Sequence, residues 1–335
     1  VAVRSPALGR RLSPGLAAAL LACLIAVVAI GRVTNVSQTP QISSFVLVFT
    51  SIVVEALPFV LLGALVSALI EVLVPDSAFT RMGRLPLALQ LPGAALGGLA
   101  FPVCECGSVP VARRLISKGM HPAAGLAFML ASPIINPIVL WSTYVAYRGQ
   151  GLGWEMLFGR ASLGLILAIV LGWTIGTESA SSLLRSRPEH DHGHDDHDHS
   201  KSRVAAVAEH LTLDFAFMAR FVVIGAALAA ALQTIVPQGI VSGVAGNPLT
   251  ASLALMGLAF LLSLCSEADA FVAVSFTQFP LSAQLSFLVF GPVIDAKLSF
   301  LYGATFKNRF VLRVIIAAVP VVLAGAFWFE RIVGQ

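Results

Sequence analysis

Apolar stretches close to the length of a bilayer crossing recur along this chain, and no other feature constrains its fold as strongly. They are Leu16–Ile30, Phe45–Val74, Leu87–Phe101, Ala123–Tyr147, Met156–Ile175, Leu211–Val236, Leu249–Leu264, Ala283–Tyr302 and Phe310–Phe329, with shorter pieces at Val109–Ser117 and Phe271–Phe276. A helix needs about 20 apolar residues to cross the hydrocarbon core. Charged residues make up 11% of the 335 positions against 57% hydrophobic ones, and mean hydropathy is +0.89. A soluble domain carries about 25% charged residues, so this chain cannot cover a water-facing surface of its size. The expected fold class is an all-α integral membrane protein.

The formal charge of +4 comes from basic residues that fall between the apolar runs. They read as topology signals and anionic-lipid contacts, and no basic-aromatic surface suggests nucleic acid. Cys23, Cys104, Cys106 and Cys265 all sit in or beside apolar runs, which argues against a disulfide framework. The first run follows Arg4, Arg10 and Arg11 and passes into Gly31-Arg32-Val33 without a small-x-small cleavage pattern. It is read as a retained membrane helix.

Two halves align at one fixed offset of 159. Pro133-Ile134-Ile135-Asn136 falls on Pro292-Val293-Ile294-Asp295, Cys106 on Cys265, Glu55 on Asp214 and Phe128 on Phe287. Compositional likeness of apolar helices explains the runs but not the Cys and Pro-Ile-Ile-Asn registrations. The expected organisation is an N-terminal region over 1–40 with one extra helix, a first membrane repeat over 41–177, a cytoplasmic His-rich linker over 178–209 and a second repeat over 210–335.

Basic residues then orient the spans. Arg4, Arg10, Arg11, Arg81, Arg84, Arg113, Arg114, Lys118, Arg185, Arg187, Lys201, Arg203, Lys307 and Arg309 are placed inside, and the uncharged stretch 237–248 outside. Leu87–Lys118 must leave and return to one side on arms of about 16 and 10 residues, too short to cross, so a re-entrant hairpin is expected. Matched segments take opposite orientations: two inverted repeats with broken or re-entrant helices in the cytoplasmic membrane, N-terminus cytoplasmic and C-terminus extracytoplasmic. That plan recurs in secondary transporters, with the substrate near the midplane.

Pro102-Val103-Cys104-Glu105-Cys106-Gly107-Ser108-Val109-Pro110 cannot be an ordinary transmembrane helix, because its prolines break the ladder. Backbone freed there must be met by protein, water or ligand. Cys104 and Cys106 are candidate ligands if the turn is extended, and a carboxylate such as Glu105 inside a membrane marks function. A buried cysteine also serves as a small hydrophobe. The counterpart in the second half offers Cys265, Glu267 and Asp269. Asn136 and Asp295, at two further helix breaks, read as polar ligands or proton carriers, or else as helix caps. Lys297 stands where it can neutralise Asp295. Glu55 and Asp214 form another matched pair, with Asp214 read as an N-terminal helix cap. Met156–Ile175 reads as an uninterrupted span.

The polar stretch Glu178–Ser202 must lie outside the bilayer. Its histidines His190, His192, His194, His197 and His199 alternate with carboxylates, a pattern suited to Zn²⁺ or another divalent metal held loosely. No tightly bound cofactor is expected. No Walker A, nucleophile-elbow or zinc-protease pattern is present, so an enzyme is not expected.

Through Pro102–Pro110, Lys118-Gly119, Ala131-Ser132-Pro133-Ile134-Ile135-Asn136-Pro137, Cys265-Ser266-Glu267-Ala268-Asp269-Ala270-Phe271 and Phe290–Lys297, the chain resembles the predicted-permease family that includes the organoarsenical efflux permeases (ArsP-like, also called YraQ-like). The resemblance spans roughly Phe45 to Phe329. It implies a multi-spanning permease that moves a small substrate without hydrolysing a nucleotide. Glu105 between the cysteines and the Ser-Glu-Ala-Asp run depart from an arsenical exporter.

The expected activity is secondary transport of a small soft or borderline metal or metalloid species, with the proton as candidate coupling ion. Its alternatives are a trivalent organoarsenical exporter and a non-transporting metal-sensing membrane subunit. The expected partners are the lipid bilayer, the inorganic or organometal substrate, and an accessory membrane subunit or a second copy of the chain.

Overall fold

A computed structural model describes residues 40–74, 85–100, 103–185, 203–235, 247–307 and 309–333. The helix expected at Leu16–Ile30 and the histidine run from His190 to His199 lie outside the described residues. The described residues fold into helices, with one isolated antiparallel bridge between Leu184 and Phe306.

The first half comprises α1 (Pro40–Leu73), α2 (Leu87–Ala100), α3 (Glu105–Ser117), α4 (Pro122–Ile135), α5 (Pro137–Tyr147) and α6 (Gly153–Ile175). A short turn of helix, α7 (Ala180–Leu183), leads toward the linker. The second half comprises α8 (Arg203–Ile235), α9 (Pro248–Leu262), α10 (Asp269–Ala273), α11 (Leu281–Phe290), α12 (Ala296–Thr305) and α13 (Phe310–Val333). Among the described residues, five helical stretches are long and apolar enough to cross a membrane: α1, α4 with α5, α6, α8 and α13. At about 1.5 Å per residue, α2, α3, α9 and α11 are too short to cross alone.

Helix starts recur at the sequence offset. Pro122 of α4 and Leu281 of α11 lie 159 residues apart, as do Pro137 of α5 and Ala296 of α12. Contacts recur too: α2 packs on α4 as α9 packs on α11, and α3 packs on α12 as α10 packs on α5. The match weakens where α3 is opposed by the five residues of α10, so the run Phe271–Phe276 is no span.

Helices pack through small residues. On α1, Ala56, Val60, Ala64 and Ala68 recur every four residues and are buried, while Leu47, Val54, Leu62 and Leu73 are exposed. The buried face meets α8, which supplies Met218, Val222, Ala226 and Ala230. On α13, Val314, Ala318, Val322 and Ala326 are buried, and Leu312, Ile316 and Trp328 are exposed. Lipid tails are as apolar as leucine, so helices associate by close packing of small side chains and leave large apolar ones to the lipid.

One helix start and one side-chain role differ from expectation. α8 begins at Arg203, ahead of the boundary placed at 210, because the Val- and Ala-rich run 204–208 extends the membrane helix into the linker. Asp214 therefore sits inside α8 and caps nothing. It is buried, accepting from Ser67 Oγ on α1 and Arg114 on α3, both at 3.0 Å.

Candidate functional site

The broken segments of the two halves meet in one buried polar network. The first break ends at Cys104, whose extended backbone (φ −71°, ψ 175°) precedes α3. Glu105 then occupies the first turn of α3, where a carboxylate is favoured by the exposed N–H groups and the helix dipole. α3 continues through Pro110 at the cost of one backbone hydrogen bond, the one a residue with an N–H would give the Cys106 carbonyl. The break reaches the centre because α1 comes very close: a Cβ on Gly63 would sit 2.3 Å from Gly107 Cα. Only glycine allows that approach.

Glu105 is 1% exposed, and its partners come from the second half. Lys297 Nζ, on α12, donates to Glu105 Oε1 at 2.9 Å, and Ser266 Oγ donates to Glu105 Oε2 at 3.1 Å. Lys297 also donates to Ser263 O at 3.1 Å and lies 3.7 Å from Asp295 Oδ2. Its backbone is pressed against α8, where a Cβ on Gly225 would fall 2.7 Å from Lys297 Cα. The expected pairing of Lys297 with Asp295 is thus secondary. Its tighter partner is Glu105, in the other half, which sequence adjacency does not reveal.

Arg160 of α6 forms the second bridge. Completely buried, it grips Asp269 of α10 through both guanidinium ends, at 2.8 and 2.7 Å. It also donates to Thr143 Oγ1 at 2.9 Å and to Ser266 O at 3.3 Å. Ser266 therefore joins the two ion pairs: its carbonyl accepts from Arg160 while its hydroxyl donates to Glu105. The network runs Asp295, Lys297, Glu105, Ser266, Arg160, Asp269. A charge facing hydrocarbon costs at least about 2.5 kcal/mol, and each of these charges is met by protein instead.

The thiols flank this network. Cys104, Cys106 and Cys265 are free and buried. Cys104, the extended residue before α3, and Cys106, in its first turn, are close enough to interact. Cys265 Sγ lies 3.9 Å from Lys297 Nζ. Glu267 is half-buried, and its Oε2 has no hydrogen-bond partner among the described residues. Glu55 lies within electrostatic reach of Cys265 and Glu267. Among the described residues no three His, Cys, Asp or Glu side chains converge as a metal cage.

Asn136 and Asp295 serve as matched caps. Asn136 Oδ1 accepts from Ile138 N at 3.0 Å, and Asp295 Oδ1 accepts from Leu298 N at 2.6 Å. The capping alternative accounts for both geometries, and Asp295 additionally faces Lys297.

Arg160 was the residue the sequence reading missed. A lone arginine inside the apolar run Met156–Ile175 was the available signal, since a cation at that depth needs an anionic partner. Ser266 carries no such signal; it is a neutral serine in the turn between α9 and α10.

The pattern of a family described as predicted permeases matches residues 41–329. UPF0718 protein YcgR of Bacillus subtilis is 40% identical over 280 residues, covering 83% of this chain and 94% of that protein. A Streptococcus mutans protein named putative two-component membrane permease complex subunit is 36% identical over 272 residues, covering 80% of this chain and 89% of that one. No solved structure gives a significant match.

Proposed function

This chain belongs to the predicted-permease family, a multi-pass membrane protein by its helices, and on that premise we propose that it is a secondary permease for a small soft or borderline metal or metalloid cation. The observation that carries the reading is the charge balance of the buried network. Among the described residues, Glu105, Asp269 and Asp295 face two cations, Lys297 and Arg160, and the half-buried Glu267 beside them has an Oε2 without a hydrogen-bond partner. A surplus of carboxylates in a dry site calls for a proton or a cation. Cys104, Cys106 and Cys265 beside it supply soft ligands, which select thiophilic ions over Mg²⁺ or Ca²⁺.

The recurring contacts of the two halves support a repeat design, and the distribution of basic residues supports inverted halves with the linker cytoplasmic and the C-terminus extracytoplasmic. With the network shut from solvent, transport needs the halves to part. The Lys297–Glu105 and Arg160–Asp269 pairs are the contacts that must open, and an arriving cation or proton would replace what the carboxylates lose. The name of the Streptococcus mutans relative favours a second element of the reading, that this chain works with another membrane subunit.

The test is flux, metal by metal, into proteoliposomes holding the purified chain: Zn²⁺, Cu⁺ and a trivalent methylarsenical, with and without a pH gradient. The reading expects flux of one thiophilic species that Cys106→Ala abolishes. Flux of the arsenical alone would replace the metal reading with the exporter. Absence of flux with the partner subunit present would favour a sensing role.

A further inference from the structure

Arg220 stands apart from the ion pairs of the buried network. It is the middle residue of the 29-residue stretch Ala206–Thr234 of α8, which is long and apolar enough to cross a membrane. At 1.5 Å per residue, about 21 Å of helix separates it from either end of that stretch, more than an arginine stem of three methylenes can bridge. Gly225, five residues further along α8, is pressed against Lys297, so Arg220 lies about 7.5 Å along the helix from the depth of the buried network. Its side chain is nevertheless exposed. Leu213, Ile224 and Leu228 share its face of α8 and are exposed as well, whereas Met218, Val222, Ala226 and Ala230 are buried on the face that packs on α1.

The guanidinium is held on this outer face. Its Nε donates to the Phe217 carbonyl at 3.3 Å, and its central carbon lies 4.7 Å from the centre of the Phe217 ring and 5.2 Å from that of Phe221. Two aromatic rings offset part of the desolvation of a cation, but neither carries a negative charge. Among the described residues no carboxylate pairs with Arg220. The apolar stretches 1–39 and 236–246 contain no Asp or Glu, and the acids of 75–84 and 186–202 stand among other charges in polar stretches that belong in water. A cation left facing hydrocarbon costs at least about 2.5 kcal/mol. Arg160 shows how this chain meets that cost internally, through a carboxylate of another helix at 2.7 Å.

We infer that this face of α8 is the docking surface for a transmembrane helix of a different membrane protein, and that Arg220 pairs there with an aspartate or glutamate near the middle of that helix. The inference rests on the element of the reading above in which the chain works with another membrane subunit, and it gives that subunit a place and a chemistry. Helices in lipid associate through close packing and polar pairs; the exposed apolar residues around Arg220 offer the first and its guanidinium the second. A second copy of this chain does not fit. A two-fold contact through one face sets Arg220 against Arg220, and Glu209, the acid on the same face, is eleven residues away, about 16 Å along the helix. The helix expected at Leu16–Ile30 does not fit either, since it has no acid to offer.

The probe is a synthetic transmembrane peptide of about 20 leucine and alanine residues with lysine ends and one central glutamate, compared with the same peptide carrying leucine at that place. Association with the full chain in phosphatidylcholine liposomes is read by crosslinking from a photoreactive residue one turn from the peptide's centre, and the attachment site is mapped by mass spectrometry. The glutamate peptide should attach between Leu213 and Leu228 at concentrations about tenfold lower than the leucine peptide. Arg220→Leu should erase that preference, Arg220→Lys should keep part of it, and Arg331→Leu, at the end of α13, should leave it unchanged. Arg220→Leu alters an outer face, so it should unfold no more easily than the wild type; Arg220→Gln decides the matter if it does not fold. Equal attachment of the two peptides, attachment to another helix, or a preference that survives Arg220→Leu would overturn the inference. So would a preference that vanishes when phosphatidylglycerol is added, which would give Arg220 to lipid phosphate. Flux is a separate readout: a missing preference with normal flux removes the docking surface and leaves the permease, and a preference without flux does the reverse.

Discussion

Replacing Lys297 by Met should cost far more than the loss of one surface ion pair. The Lys297 and Glu105 side chains are each 1% exposed and lie 2.9 Å apart. Methionine fills much of the same space, so packing changes little, but Glu105 is left buried with only Ser266 as a side-chain donor. Breaking a buried pair by removing one partner costs about 3–5 kcal/mol, whereas replacing both partners by apolar groups is often close to neutral. Lys297→Met alone should therefore destabilise by about 3 kcal/mol or more. The double variant Lys297→Met/Glu105→Met should recover most of that. The coupling between the two sites should exceed about 2 kcal/mol, well above the roughly 0.5 kcal/mol seen for independent positions. Reversible unfolding in mixed dodecyl maltoside–dodecyl sulfate micelles supplies the four free energies of the cycle. Flux in proteoliposomes should be lost in the single and the double variant alike, because the site loses its chemistry even where the fold is rescued. Additive single effects would refute the reasoning, since the two charges would then not be one another's main compensation. A double variant that transports normally would remove the pair from the transport mechanism.

Gly225→Ala should destabilise by about 1–3 kcal/mol in the same assay through overpacking, as its Cβ would press on Lys297 Cα, whereas Gly257→Ala, with open space around it, should be neutral or slightly stabilising. Asp269→Asn should lower stability by about 3 kcal/mol by leaving Arg160 unpaired at depth; a change within about 0.5 kcal/mol would mean the arginine finds other partners. Cys106→Ser retains a polar atom but exchanges a soft ligand for a hard one, so flux of a thiophilic cation should fall at least tenfold while the unfolding free energy moves little; unchanged flux would return Cys106 to the role of a buried space-filler. Cysteine labels at positions 200 and 335 should react from opposite faces of the membrane, and reaction from one face would remove the inverted-repeat topology.

The lipid-facing helices were legible because membrane burial writes itself into composition: runs such as Met156–Ile175 emerge as α6 with little shift in their ends. The breaks were legible where Pro137 and Gly291 act through the local backbone, whereas Pro110 and Pro133 lie inside α3 and α4. The capping roles of Asn136 and Asp295 follow from residues two or three positions away. Partner choice was not local. Glu105 and Lys297 are 192 residues apart and Arg160 and Asp269 are 109 apart, so nothing in the spacing links them. Asp214 was misread for the same reason: its partners, Ser67 and Arg114, belong to other helices.

The offset of 159 relates the scaffold of the two halves but not the charges of the central network, and there is a physical reason for the difference. Glu105 falls on Leu264, Arg160 on Val319, Lys297 on Ile138 and Asp269 on Pro110. A symmetric copy of Lys297 at Ile138 would stand on a surface position that is 57% exposed, where a cation in lipid costs at least about 2.5 kcal/mol. A carboxylate at Leu264, next to Cys265 and Ser266, would add a further negative group to a network that already holds more acids than bases. Each ion pair instead takes one member from each half: acid then base in Glu105–Lys297, base then acid in Arg160–Asp269. Neither Glu105 nor Arg160 has its main ionic partner in its own half. Parting the halves here therefore exposes buried charge, which is tolerable only when a cation, a proton or water is present to receive it. Such a coupling makes opening conditional on what occupies the site, which is the property a permease needs to avoid leaking.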